Sequence, residues 1–281
     1  MARTVTFWWM LSLFAVALIS PTWVFCLLLL ACSLLSLAEY YSLVFPAEKS
    51  LVKIICAPIY LILGLGCIAN FAFLYTAKVE YFFVLSTVLT GIVLPVFYVL
   101  KNRMDDFAKT LPSLALGFQF FAVLLAFSYP LYAVDVKVFL LVVFLTEIRD
   151  LVSYWVGKAF SKVKTQSLFL NRVLHSKVAE NVSPNKTWFV GVISSAILYG
   201  VGFGLSQSVF ELNSMDSIKL NLILVSIGVL GLFGDLVFSL VKRIFEQKDS
   251  GTWLPGNSGI IDRIDALVFT TPVAYFILIL L

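Results

Sequence analysis

Charged residues inside apolar segments are the first feature of this 281-residue sequence that could do chemistry. One apolar run carries three charges near its centre: Glu147, Arg149 and Asp150. On a helix, Asp150, Tyr154 and Lys158 share one face because they are spaced four residues apart. Charges inside such a segment indicate a functional site, or else a tight structural ion pair with Arg149.

A second apolar run, LGLFGDLVFSLVKRIF, combines an acid, a hydroxyl and two cations. Spacings of four and then three or four residues place them on one helical stripe: Asp235, Ser239, Lys242 and Arg243. A stripe that ends in Lys-Arg at the level of the lipid headgroups suits an anionic phosphate. Gly231 and Gly234 leave room for a ligand or a helix to approach closely.

A turn-rich segment, KDSGTWLPGNSGIIDRID, follows this run. Lys248 and Asp249 precede its glycines, and Asp262 and Asp265 lie one turn apart at the start of the last helix. Clustered carboxylates without a histidine or a thiolate suit magnesium, which takes oxygen ligands and substrate phosphates. The segment therefore predicts a Mg²⁺ site.

The segment before residue 188 is basic, and it contains the sole histidine, His175. We interpret His175 as a loop residue, since no cysteine or second histidine accompanies it. Basic loops alone indicate only topology or contact with anionic lipid. Ser183 or Asn185, as the cap of the next helix, would however leave free backbone N–H groups for a phosphate, and Lys186 would add a charge.

The elements that carry these residues are transmembrane helices, because the chain is 61% hydrophobic and only 13% charged. A helical span needs about 20 apolar residues. The fold class predicted is all-α, a polytopic transmembrane protein of about nine spans. The predicted spans are 7–19, 22–45, 52–76, 81–100, 111–131, 136–158, 187–208, 219–241 and 264–281.

Lysine and arginine are distributed unevenly between the two sets of loops. Sixteen lie on one side and three on the other, with Arg149 inside a span. The positive-inside rule then predicts a cytoplasmic N-terminus and an outer C-terminus. Charges are sparse up to about residue 135 and enter the spans afterwards, so we expect a scaffold, dimer and lipid-contact region in 1–135 and a catalytic region in 136–281.

In the second region the sequence resembles the phosphatidate cytidylyltransferase family, the CDP-diacylglycerol synthases. The family signature reads S-x-x-K-R-x4-K-D-x-G-x2-L-P-G-H-G-G-x2-D-R-x-D. Its counterparts here run from Ser239 to Asp265 with the spacing intact. Two upstream blocks also have counterparts: D-x-G-A-Y-x2-G-[KR]-x-F-G-K at Asp150 to Lys162, and SP-x-KTW at Ser183 to Trp188.

The sequence departs from the family pattern in three motifs. Asn257 and Ser258 replace the His-Gly of H-G-G, Val152 replaces the glycine of D-x-G-A-Y, and Phe189 replaces the acid that commonly follows KTW. The acids that match the family's metal-holding positions are retained despite these departures. Such departures are compatible with a divergent paralogue that uses another lipid phosphate, or with reduced activity.

The resemblance implies transfer of a cytidylyl group from CTP to phosphatidate or a related lipid phosphate, with release of pyrophosphate. It implies catalytic roles for Asp235, Asp262, Lys242 and Arg243, and Mg²⁺ ligation by Asp235, Asp262 and Asp249, with a second cation left open. The substrate-binding candidates are Asp150, Tyr154, Lys158, Ser183, Asn185, Lys186, Ser239, Lys248, Asp249, Asn257, Arg263 and Asp265.

The resemblance also suggests a homodimer, whereas no nucleic-acid partner is expected. We expect a multi-pass protein of the bacterial inner membrane, because no organelle address is visible. Two alternatives remain open. A CTP-dependent lipid kinase of the dolichol or phytol type would transfer the γ-phosphate of CTP to a lipid alcohol. A transporter would instead use the charges within the spans as an ion path at the midplane.

Overall fold

The structure, a computed structural model, describes residues 22–44, 107–160, 173–247, 250–251 and 259–281. Within these residues, five helices are long and apolar enough to cross a membrane. They are Thr22–Val44, Ala115–Val134, Trp188–Ser208, Ser217–Ile244 and Ile261–Leu280. The polytopic helical fold is thereby confirmed. The count of nine spans remains a prediction, because the predicted spans 7–19, 52–76 and 81–100 lie outside the described residues.

The chain forms two compact units, and the first contains residues 1–130 together with 249–261. Its helix α1, Thr22–Val44, carries two buried tyrosines, Tyr40 and Tyr41. Helix α2, Phe107–Phe118, continues through a π-helical turn at Gln119–Leu124 and a 3-10 turn at Leu125–Phe127 into α3, Ser128–Val134.

The π-helical turn packs against α1. Ser33 of α1 donates a hydrogen bond of 2.5 Å from its hydroxyl to the carbonyl of Phe121, within this turn. Tyr40 lies beside Phe121, with ring centroids 5.7 Å apart. Gly117 lets the Tyr40 ring approach, since a Cβ there would lie 2.7 Å from the ring. Small residues thus allow close helix packing, as is usual in membranes.

The second unit contains residues 131–248 and 262–281. It is built from α4, Val136–Phe160, α5, Trp188–Ser208, α6, Ser217–Ile244, and most of α7, Ile261–Leu280. Helix α5 packs against both α4 and α6. At Gly228 of α6 a Cβ would lie 2.9 Å from the Cβ of Ser195, so this glycine sets how closely α5 and α6 approach.

A short antiparallel hairpin precedes α5, formed by β1, Lys177–Ala179, and β2, Ser183–Thr187. The N–H of Trp188 donates to the carbonyl of Ser176 at 3.0 Å, which ties the start of α5 to the hairpin. The Lys177 ammonium also donates to the carbonyl of Pro184. This hairpin was not predicted.

The predicted cap of α5 at Ser183 or Asn185 is wrong. Residues 183–187 are extended and paired in β2, so they precede the helix as a strand. The cap is Thr187, whose hydroxyl accepts a hydrogen bond of 3.3 Å from the N–H of Val190. Thr187 is the last extended residue, and a side-chain oxygen at that position satisfies a free N–H of the first turn.

We predict that Gly228→Ala destabilises the protein by about 1–3 kcal/mol, because the added methyl group would overlap Ser195 near its backbone, where no flexible side-chain end can yield. The matched control is Gly204→Ala in α5, where a Cβ would meet nothing within 4 Å. Thermal unfolding in detergent should show a lower midpoint for Gly228→Ala only. Equal midpoints would contradict the close packing of α5 and α6.

Candidate active site

A cavity of about 570 Å³ lies in the second unit, lined by α4, the hairpin, the first turn of α5 and α6. Residues from three separate sequence blocks meet there. Six of the predicted site residues line it: Asp150, Tyr154, Lys158, Asn185, Lys186 and Asp235. Its volume is in the range of small-molecule sites, and its wall mixes cations, acids and an aromatic ring.

Ion pairs join the acids and cations on one wall of this cavity. The guanidinium of Arg149 donates to the carboxylate of Asp150 at 2.7 Å and lies 3.9 Å from the carboxylate of Asp235. The Lys186 ammonium forms an ion pair with the same Asp235 carboxylate. The Arg149 side chain is only 4% exposed, whereas that of Asp150 is 52% exposed. Two cations therefore compensate an acid that faces the cavity.

A glycine makes room for the buried arginine. A Cβ at Gly231 of α6 would lie 2.8 Å from Cδ and 3.0 Å from Nε of Arg149. Nε itself is buried without a hydrogen-bond partner, and the contacts to the acids are made by a terminal nitrogen of the guanidinium. The close approach predicted for Gly231 is thus made by a side chain of α4.

Asp265 lies deeper than the other acids and is buried. Its carboxylate accepts a hydrogen bond of 2.6 Å from the N–H of Ala266 and is within electrostatic reach of Asp150, Asp235 and Arg149. Gly234 of α6 allows this approach, because a Cβ there would lie 2.6 Å from the Asp265 carbonyl oxygen. Asp265 therefore adds a third carboxyl group behind the cavity wall.

The stripe predicted on α6 is present, and it leads from the cavity to a second ion pair. Ser239 donates to the carboxylate of Asp235 at 3.5 Å, and Lys242 contacts the carboxylate of Asp262 at 2.5 Å. Arg243 points elsewhere, because it donates to the carbonyls of Val182 and Gln247 at 3.4 and 3.3 Å. In this structure it contacts the hairpin turn.

Other predicted site residues are not brought into the cavity. Ser183 lies in β2, and Arg263 of α7 is half-buried with an Nε that has no hydrogen-bond partner. Among the described residues, no group of three or more histidine, cysteine or acidic side chains is arranged to hold a metal ion. Three predicted residues lie outside the described part of the chain: Lys248, Asp249 and Asn257.

Sequence reasoning did not assign three lining residues with basic side chains, namely Arg149, His175 and Lys177. His175, interpreted as a loop residue, lies among helical residues 173–175 just before the hairpin. The hairpin brings Lys177 opposite Thr187 in its register, close to the start of α5. For His175 and Lys177 the available signal was their position between two blocks that both carry site residues, and for Arg149 it was a charge within an apolar run.

We predict that Arg149→Met lowers the free energy of unfolding by roughly 2 kcal/mol or more, since it leaves Asp235 and the neighbouring acids short of a buried cation. The control is Lys137→Met, which removes the cation of an exposed pair with Glu211 and should change stability by about 0.5 kcal/mol or less. Chemical or thermal unfolding of both variants in detergent measures this. A variant at Arg149 as stable as wild type would contradict the structural role of this ion pair.

Several relatives match part of the chain. A protein named phosphatidate cytidylyltransferase from Bacillus subtilis is 38% identical over 130 residues, covering 46% of this chain and 42% of that protein. One of the same name from Thermotoga maritima is 30% identical over 173 residues, or 60% of this chain and 59% of the relative. An uncharacterised Escherichia coli protein, YnbB, is 35% identical over 141 residues, or 49% and 42%. The chain spans less than two thirds of the length of each.

The family comparison covers the whole chain. The sequence profile of the cytidylyltransferase family matches residues 1–281, so both compact units lie within the match. The motif spacing, the charged cavity and this match agree with each other. The chain belongs to the cytidylyltransferase family.

Proposed function

We propose that this protein transfers the cytidylyl group of CTP to phosphatidate or a closely related lipid phosphate, giving a CDP-lipid and pyrophosphate. The observation that carries the proposal is the cavity, where cations from α4 and from both strands of the hairpin line the same wall as Asp235 of α6. Membership of the cytidylyltransferase family and the names of the relatives support the same reaction.

The charges of the cavity suit a nucleoside triphosphate. Arg149, Lys158, Lys177 and Lys186 line it, and positive groups of this kind hold phosphates by charge and hydrogen bonds. Tyr154 offers a ring, 57% exposed, that a base could stack against. Lys186 contacts Asp235 in this structure, so binding of a triphosphate would give that ammonium a second anionic partner.

In the proposed reaction an oxygen of the lipid phosphate forms a bond to the α-phosphorus of CTP. The bond from that phosphorus to the oxygen bridging to the β-phosphate breaks, and pyrophosphate leaves with the electron pair. Such transfers depend mainly on positioning and charge neutralisation. Lys186 and Lys242 are placed to neutralise phosphate charge, since both extend from elements that border the acids.

The predicted Mg²⁺ fits the chemistry of the acids. Asp235 and Asp262 supply hard oxygen donors, and their side chains keep 27% and 19% exposure, so a cation and substrate phosphates can reach them. Each carboxylate is paired with a lysine in this structure, and the lysine compensates the negative charge that Mg²⁺ would compensate when bound. When bound, Mg²⁺ would neutralise charge on the triphosphate. Asp249 is the third ligand proposed from the resemblance, and a second cation remains part of the proposal.

A membrane location is required by the substrates, because the lipid stays in the bilayer while CTP is in water. Lys242 and Arg243 occupy the last turn of α6, where cations meet both the helix dipole and the headgroups. The uneven distribution of lysine and arginine supports a site on the cytoplasmic face of a bacterial inner membrane, with the N-terminus cytoplasmic. A homodimer is proposed from the family resemblance.

The test is transfer of label from α-labelled CTP into phosphatidate by purified protein in detergent with Mg²⁺. Wild type should form a labelled CDP-lipid. Asp262→Asn should lower kcat about 100-fold or more, because it removes a carboxylate charge from the site. The matched control is Glu211→Gln, an exposed acid outside the site, and it should retain activity.

Other results of the same assay would indicate a different function. Label that enters lipid only from γ-labelled CTP would indicate a lipid kinase. A folded wild-type preparation that transfers neither label would contradict the proposed reaction. Asp262→Asn with wild-type kcat would contradict the assignment of this acid to the site while leaving the reaction in place.

A further inference from the structure

A carboxylate outside every sequence block named above is buried in the first unit. Glu39 lies in α1 and is 1% exposed, between the buried side chains of Leu37 and Tyr40. An acid inside a membrane helix is costly, and such residues are usually held by specific partners or serve a function. The cavity in the second unit does not include Glu39.

The partners of Glu39 lie at the start of the last helix. One carboxylate oxygen, Oε2, accepts hydrogen bonds from the N–H of Ile260 at 2.7 Å and from the N–H of Ile261 at 3.3 Å. Helix α7 begins at Ile261, and the first N–H groups of a helix have no partner within the helix. A negative charge there is also favoured by the helix dipole. Glu39 thus caps the backbone at Ile260 and Ile261, which belong to the same unit as α1.

Two glycines of the family signature make room for this carboxylate. A Cβ at Gly251 would lie 2.6 Å from Oε1 and 3.0 Å from Cδ of Glu39. A Cβ at Gly259 would overlap Oε1 of Glu39 and the hydroxyl of Ser250. Both positions therefore require glycine because the backbone touches Glu39, and this accounts for two glycines to which the reaction itself assigns no role.

We propose that Glu39 is a positioning residue for the reaction. It holds Gly251 and Gly259, which flank the L-P-G part of the signature, and it fixes the backbone at Ile261, directly before Asp262 in the chain. The proposal rests on the proposed function, since it assigns Glu39 the task of placing the signature residues. Glu39 is not among the residues that line the cavity and is expected to act on turnover more than on CTP binding.

The experiment compares Glu39→Leu and Glu39→Gln with Ser36→Ala. Ser36 is a matched control because it is buried in the same helix and its hydroxyl bonds to the Cys32 carbonyl of that helix. In Glu39→Leu, amide hydrogen exchange at Ile260 and Ile261 should be about 10- to 100-fold faster, as loss of a charged hydrogen-bond acceptor implies. Glu39→Gln keeps one acceptor oxygen and should show an intermediate rate, and Ser36→Ala should match wild type.

Turnover separates a positioning role from a purely structural one. We expect kcat of Glu39→Leu to fall at least about tenfold, with KM for CTP within about twofold of wild type and partial recovery in Glu39→Gln. Gly251→Ala should also lower kcat, because its methyl group would collide with Glu39. In Glu39→Ala that collision is absent, so adding Gly251→Ala to this variant should lower kcat little further. Such non-additive effects are expected for two residues in contact.

The outcomes distinguish this proposal from the proposed function. Wild-type exchange and kcat in Glu39→Leu, or fully additive effects of Glu39→Ala and Gly251→Ala, would overturn the role of Glu39 while the cytidylyl transfer stands. A KM that rises with kcat unchanged would also overturn it. An inactive wild type with faster exchange in Glu39→Leu would overturn the proposed function and retain Glu39 as the residue that fixes the start of α7.

Discussion

Within the second unit, the guanidinium of Arg149 lies buried between the carboxylates of Asp150 and Asp235. Charges in a medium of low polarity are tolerated only when opposite charges and hydrogen bonds compensate them. Lys186 provides the second compensation for Asp235 from the end of the hairpin. Three separate elements must therefore pack in one arrangement for these acids to meet their cationic partners among helices that otherwise bury apolar groups. Gly231 is part of this constraint, because a larger residue would displace the guanidinium.

The same constraint links the packing of the helices to the proposed chemistry. The hairpin places Lys186 and Thr187 side by side, so that one residue faces Asp235 and the next caps α5. Small residues of α6 allow close helix contacts, and its polar stripe runs from Asp235 at the cavity to Lys242, which pairs with Asp262. A cavity whose acids already have cationic partners is suited to exchange those partners for phosphates and a divalent cation without a large change in buried charge.

Much of this organisation could be predicted from the sequence. The ends of α4, α5 and α6 follow the change from apolar to charged residues, and they fall within three residues of the predicted spans 136–158, 187–208 and 219–241. The stripe from Asp235 to Lys242 follows from the helical repeat alone, since residues on one face are separated by three or four positions.

Tertiary contacts could not be predicted in the same way. The strands of the hairpin have three and five residues, with a proline in the second, and such a pattern does not indicate a strand. The partners of Lys186 and Arg149 depend on how helices pack, and periodicity does not contain that information. Glu39 stands 221 residues before the N–H group it binds at Ile260, so only the folded chain brings them together.

The most direct measurement is a structure of the protein determined with CTP and Mg²⁺. The account predicts the triphosphate inside the cavity lined by α4, the hairpin and α6, with phosphate oxygens about 2.7–3.2 Å from the nitrogens of Lys186 or Lys158. The cation should lie on the carboxylates of Asp235 or Asp262. Nucleotide density elsewhere, with the ion pairs of Asp235 unchanged and the cavity unfilled, would contradict the account.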